Sequence, residues 1–241
     1  MRGIKMRYAM FLILILCVST VSAEILFQDD FESGKVDNKN WAPLGTWAIE
    51  DSDDEHDVLG KKVLAVQGSE IGLSVDNFPE EFDYYADFRT VAAGLTGFVF
   101  HAQDGNNVYM HQVSTAGSGH TPQHIRWHRK VGGGYSVDAL PFADKVNRDQ
   151  NVWYRVKFEV RKNYNFKAYL GDVGVEDDGL TLVSEWTDAQ KSFEKGKIGI
   201  RMSGGERAQY DNIVISSAGF DIFSVEPHGK LALTWGNLKR Q

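Results

Sequence analysis

The stretch WYRVKFEVRKNYNFKAYLG, residues 153–171, decides how the chain is to be read. Tyr154, Val156, Phe158 and Val160 alternate with Arg155, Lys157, Glu159 and Arg161, a period of two that turns one set toward a core and the other toward water. RKNYN interrupts the alternation with turn chemistry, and NFKAYLG supplies the return strand. The unit is a hairpin with one buried face and one wet face, as antiparallel sheets require.

The same period runs outward in both directions. From Ile25 onward, YYADFRTV (84–91), TGFVFHA (96–102), NVYMHQVS (107–114), HIRWHRKV (124–131), KIGIRMS (197–203) and AQYDNIVIS (208–216) read as further strands. QDGNN, VGGGYS and MSGGERA between them supply positive φ and side-chain-to-backbone bonds. Only TDAQKSFEKG (187–196) and KLALTWGNLKRQ (230–241) carry a helix-like pattern. Many short strands at this spacing predict an all-β domain of two packed antiparallel sheets, a sandwich or jelly roll. The acidic run EDSDDEHD (50–57) reads as a solvated loop.

The beginning of the chain reads differently. Arg2, Lys5 and Arg7 precede the apolar run MFLILILCV, and VSA follows it with small residues, so residues 1–23 are expected to be a cleaved secretory signal. The expected layout is then 1–23 signal, 24–217 folded domain and 218–241 C-terminal extension, with the product extracellular or periplasmic and no membrane span left after cleavage. Cys17 is the chain's single cysteine, so the mature domain would fold without disulfides. The net charge of -7 becomes -10 when those three cations leave, a balance that argues against nucleic-acid partners.

Alternation assigns Tyr84, Ala86, Phe88, Phe98, Phe100, Ile125 and Trp127 to the core. The opposite face is expected to gather Arg89, His101, Tyr109, His111, Arg126 and His128 into one patch of cations, histidines and an aromatic ring. Three readings stay open for it: an inert sheet face, a glycan-binding face built on aromatic stacking and planar donors, or a transition-metal or acid-base centre. The seven histidines include no His-x-x-x-His on a helix, the glycine runs belong to turns, and no nucleophile elbow is present. Trp41, Trp47, Trp153 and Trp186 fall at strand starts or loops, where they lid the core or stack a ligand.

Together, FQDDFESG, TGFVFHAQDGNNVYMHQV, the 153–171 hairpin and GKIGIRMSGGERAQYDNIVI resemble concanavalin A-like, laminin-G-like jelly-roll domains. Within that group the chain is similar to secreted bacterial carbohydrate-active modules, near the domain of 3-keto-disaccharide hydrolases and the family 16 glycoside hydrolase fold. The resemblance covers residues 25–216 and implies a concanavalin A-like fold with a polysaccharide or glycan as partner. It also implies a structural calcium beside the first and last strands, with Asp211 of YDNIVI, Asp30 and Glu32 as its candidate ligands; the alternative is that the N-terminal acids face water and Asp211 caps a turn. Two departures weaken an enzymatic reading. In EFDYYA (81–86) Tyr85 and Ala86 stand where a family 16 hydrolase has its second Glu. Where the 3-keto-disaccharide hydrolases have NSGIFFR, Thr96 takes the Ser place and His101 the Arg place. The expectation is therefore a non-catalytic carbohydrate-binding or surface-interaction module, with a hydrolase resembling the 3-keto-disaccharide hydrolases or a structural adhesive domain as alternatives. In the extension, Leu231, Trp235 and Leu238 share one side of a short helix and either dock on the domain or meet a protein partner.

Overall fold

The computed structural model describes residues 24–53, 59–68, 71–119, 124–136, 142–143 and 148–223. The expected signal segment and the extension beyond Phe223 lie outside them. Sixteen strands run in chain order: β1 (Ile25–Asp29), β2 (Trp41–Ala42), β3 (Thr46–Asp51), β4 (Lys62–Gln67), β5 (Ile71–Ser74), β6 (Phe82–Ala92), β7 (Leu95–Asp104), β8 (Asn107–Ser114), β9 (His124–Val131), β10 (Gly134–Tyr135), β11 (Phe142–Ala143), β12 (Tyr154–Val160), β13 (Asn165–Asp172), β14 (Thr181–Thr187), β15 (Lys197–Arg201) and β16 (Arg207–Ser217). They form two antiparallel sheets. The first has the order β14-β13-β12-β6-β16-β4-β3 with β1 beside β16, the second β10-β9-β8-β7-β15-β5-β2 with β11 beside β9. Expected and observed architecture agree, except that TDAQKSFEKG forms the end of β14 and turns rather than a helix, and that the run EDSDDEHD, expected as a solvated loop, begins with Glu50 and Asp51 at the end of β3, Glu50 pairing with Arg207, while residues 54–57 lie outside the described ones.

The hairpin of residues 153–171 is β12 and β13, paired from Tyr154↔Asp172 to Val160↔Phe166. Its inward residues Val156, Phe158, Val160, Phe166 and Ala168 meet Phe98, Phe100 and Trp127 from the second sheet in one buried cluster. Ring contacts such as Phe98–Phe158 at 5.2 Å and Phe100–Phe166 at 5.3 Å cross the sandwich. The two sheets also approach closely at Gly72, where an added Cβ would lie 2.3 Å from the Trp47 ring, so only glycine fits that position. Trp41, Trp47 and Trp186 pack on this core, while Trp153 joins Leu59 and Val63 in a separate cluster on the outer side of the first sheet.

Two bulges decide which side chains face where. In β7 the register with β8 slips after Phe100, and His101 takes φ 49°. In β16 it slips between Asp211 and Val214 against β6, with Asn212 at φ 47°. Each inserts residues that break strict alternation and re-aim those that follow.

Candidate functional site: the outer face of the second sheet

The six-residue patch expected from alternation is not assembled. Tyr109 and His111 point into the core, because β8 pairs Phe100↔Tyr109 and Phe98↔His111, and paired residues share a face. In NVYMHQVS the apolar residues do not mark the core side: Val108 and Met110 face outward. His101 is buried by the β7 bulge, its Nδ1 donating to Phe193 O at 3.1 Å. Arg89 belongs to the first sheet, where it bonds Gln209 at 2.5 Å, pairs with Asp53 at 2.7 Å and lies over the Trp153 ring. Arg126 and His128 alone remain together, on the outer face of the second sheet.

That face is ordered by register. One row crosses the sheet as Arg126, Gln112, Gly97 and Arg201, and the next as His128, Met110, Val99 and Gly199. Neighbouring strands lie about 4.8 Å apart, so each row spans about 14 Å, but the middle of each row is buried: Gln112, Met110 and Val99 are covered, and Met110 and Val99 join Val108 and Ile71 in an apolar cluster, so the accessible part is the β9–β10 edge. Met110 fills the space over Gly97, where a Cβ would meet its Sδ at 2.9 Å. At the β10 edge Tyr135 is 44% exposed, with its ring 5.5 Å from that of His128 and Lys130 Nζ 5.4 Å from its centroid. Sequence reading placed this tyrosine in the turn run VGGGYS and missed it; its ring next to an outward His becomes visible only once β10 pairs Tyr135↔Lys130.

The polar groups here are unevenly occupied. Gln112 Oε1 accepts from His128 Nε2 at 3.2 Å. Burial, with the positive charges of Arg126 and Arg201 nearby, lowers the His128 pKa to about 4, so the ring is neutral at pH 7. Arg201 is held by both oxygens of Glu206, at 3.1 and 2.9 Å, and Glu206 also accepts from Ser203 N at 2.6 Å. Arg126 makes no hydrogen bond or ion pair among the described residues, and its Nε is shielded from solvent.

The carboxylates expected to hold calcium each accept hydrogen bonds within the domain. Asp30 caps its own turn, accepting from Glu32 N at 3.2 Å. Glu32 Oε1 accepts from the backbone of Lys61 and Lys62 at 2.8 and 3.0 Å. Asp211 is buried on the outer side of the first sheet opposite Asp87, and its Oδ1 accepts from Asn212 N at 2.7 Å. Among the described residues no group of three or more His, Cys, Asp or Glu is placed to hold a metal ion.

The family model of the 3-keto-alpha-glucoside-1,2-lyase-like domain matches residues 26–216, from the first strand to the last. The chain belongs to that family. Membership gives the domain a carbohydrate-related function. Among solved structures it is similar to the carbohydrate binding module CBM66 from Bacillus subtilis, at 22% identity over 73% of this chain and 94% of that one, with a TM-score of 0.53. It is also similar to a GH43 protein from Bacillus licheniformis, at 12% identity over 79% of this chain and 39% of that one, with a TM-score of 0.54. At these identities the likeness fixes the fold, a jelly-roll sandwich. No curated protein matches the chain. Among the described residues no helix is long and apolar enough to cross a membrane.

Proposed function

We propose that the domain binds a glycan on the outer face of the second sheet without turning it over. The observation that carries the reading is the sequence of groups across three strands: the exposed ring of Tyr135, then His128, Gln112 and Arg126. A sugar offers C–H-rich faces that stack on an aromatic ring and hydroxyls that pair with planar donors, and this edge supplies both. Support for binding alone comes from the carboxylates. Glu206 is saturated by Arg201 and Ser203, and on the first sheet Asp87 is clamped by Arg155 and Asp83 by Arg161. Retaining hydrolysis needs two available carboxyl groups about 5 Å apart.

A second reading is suggested by the family's name and places His128 as the base, although its pKa of about 4 makes it a weak one at pH 7. With Nε2 donating to Gln112, Nδ1 keeps a lone pair and can take a proton from C2 of a 3-keto glucoside. The electron pair left behind forms the C1–C2 double bond as the aglycone departs from C1 with the bonding electrons. A glycan array probed with the full chain, followed by incubation with a 3-keto α-glucoside and product analysis, tests both. Binding without released aglycone is expected. Released aglycone that disappears in His128→Gln establishes the lyase reading, and a blank array with no turnover overturns both.

A further inference from the structure

We infer that the face bounded by Tyr135 and Arg126 prefers an acidic glycan, one whose uronic-acid carboxylate is taken by the Arg126 guanidinium; the inference rests on the glycan-binding reading above. Arginines elsewhere in the described residues are engaged. Arg155 and Arg161 clamp Asp87 and Asp83, Arg201 and Arg207 clamp Glu206 and Glu50, Arg89 bonds Gln209, Arg129 bonds Asp188, and Arg148 donates to Ser114 O. Arg126 stands apart from all of them, half-buried and bonded to nothing among those residues. A guanidinium placed this way has lost part of its hydration and gained no partner, a cost that a bound anion removes.

Among the described residues no carboxylate is bonded to Arg126. The outward cations of these strands are Arg126, Lys130, Lys197 and Arg201. Lys130 and Lys197 each donate to a backbone carbonyl, Gly105 O and Val75 O at 2.7 Å, and the charge of Lys130 also helps hold the Asp104 carboxyl below its usual range. Glu206 is neutralised by Arg201 and also accepts from Ser203 N, whereas Asp104, which accepts from Asn106 N and the Asn107 amide, keeps its charge at the β7–β8 turn. A chain of net charge -7 thus keeps Arg126 on this face without a carboxylate partner among the described residues. The flat fork of Arg126 matches a planar carboxylate in two parallel bonds, and Gln112, with its Oε1 taken by His128, has its amide NH2 to offer a neighbouring oxygen. Tyr135, beyond His128 on the same edge, is then placed to stack on a neighbouring sugar ring.

Titration calorimetry of the full chain with trigalacturonate and with maltotriose tests the preference. At low salt trigalacturonate is expected to bind at least tenfold more tightly, with the gap closing as sodium chloride is raised. Arg126→Gln should lower trigalacturonate affinity at least tenfold and flatten its salt dependence while the melting temperature holds, since Arg126 bonds no described residue. Arg126→Lys should keep the salt dependence at reduced affinity. Maltotriose binding as tightly as trigalacturonate, or a trigalacturonate affinity untouched by Arg126→Gln, overturns the acidic preference and leaves glycan binding standing. Failure of both probes together with a blank glycan array overturns the glycan reading and the preference with it.

Discussion

The outer faces of the two sheets are built from the same kinds of residue by the same alternation, and they are wired in opposite ways. On the first sheet the central charges have found partners. Arg155 meets Asp87 through two bonds at 2.7 and 2.8 Å, and Asn212 Nδ2 donates to the same carboxylate at 2.8 Å. Lys157 bonds Asp177 at 2.5 Å, and Tyr85 donates to that carboxylate at 3.1 Å. Phe223, from the start of the C-terminal extension, lies over both Tyr85 and Arg155, and Gly219 N donates to Asp83 at 3.1 Å. The extension thus begins by docking on its own domain. On the second sheet Arg126 is left unpaired among the described residues and Tyr135 is left exposed. A closed network holds a fold together; groups left over are available to a ligand.

The largest expected effect breaks the closed face. Asp87→Ala strands Arg155 in a nearly dry site, and removing one member of a buried pair costs about 3–5 kcal/mol. Urea denaturation should show that loss, while glycan affinity of the folded fraction stays where it was. A loss below about 1 kcal/mol would mean the two faces do not differ as described. Next come Tyr135→Ala and Arg126→Gln, each expected to weaken binding of an array hit by about 1–3 kcal/mol with little change in melting temperature. If either variant instead melts early with affinity intact, the open face is structural.

A smaller effect lies between the faces, in the core. Among the described residues neither ring nitrogen of His111 has a hydrogen-bond partner, and burial, with Arg148 and His128 nearby, holds its pKa well below 6.5. His101 is lowered to about 4, chiefly by burial, as His128 is. In the window from 6.5 down to about 4 the unfolded chain binds protons that the folded one refuses, so stability falls as pH falls through it. His111→Leu removes two unsatisfied polar atoms and should raise stability by about 1 kcal/mol at pH 7, with a shallower acid limb, read from melts at pH 7 and 5. The smallest expectation is Lys162→Ala. Its pair with Glu81 at 3.8 Å is exposed, and its loss should change stability by less than about 0.5 kcal/mol.

The inward residues of β9 and β12 were legible because polar and apolar residues alternate there, and those of β6 and β7 because runs of large rings mark the core side even though Tyr85 and Val99 face outward. NVYMHQVS was not, since both of its faces are apolar or aromatic in part, and only pairing with β7 shows that Tyr109 and His111 face inward. His101 escaped because a bulge carries no composition of its own. Arg89 and Arg126 could not be separated without knowing that their strands lie in different sheets. The acids of FQDDFESG were legible as a cluster at the end of a first strand, but their partners were not, since the Lys61 and Lys62 amides that satisfy Glu32 arrive from 29 and 30 residues away.

The pairing of β1 with β16 has a mechanical consequence. The strands are antiparallel, with Ile25↔Ser216 at one end and Asp29↔Ile213 at the other, and Glu24 exchanges bonds with Ser217 where the two chain directions leave the sheet. Tension applied between residues 24 and 217 therefore loads these bonds one after another, as a zipper, instead of all at once in shear. Under load, β1 would peel first and the aromatic core would feel the force last.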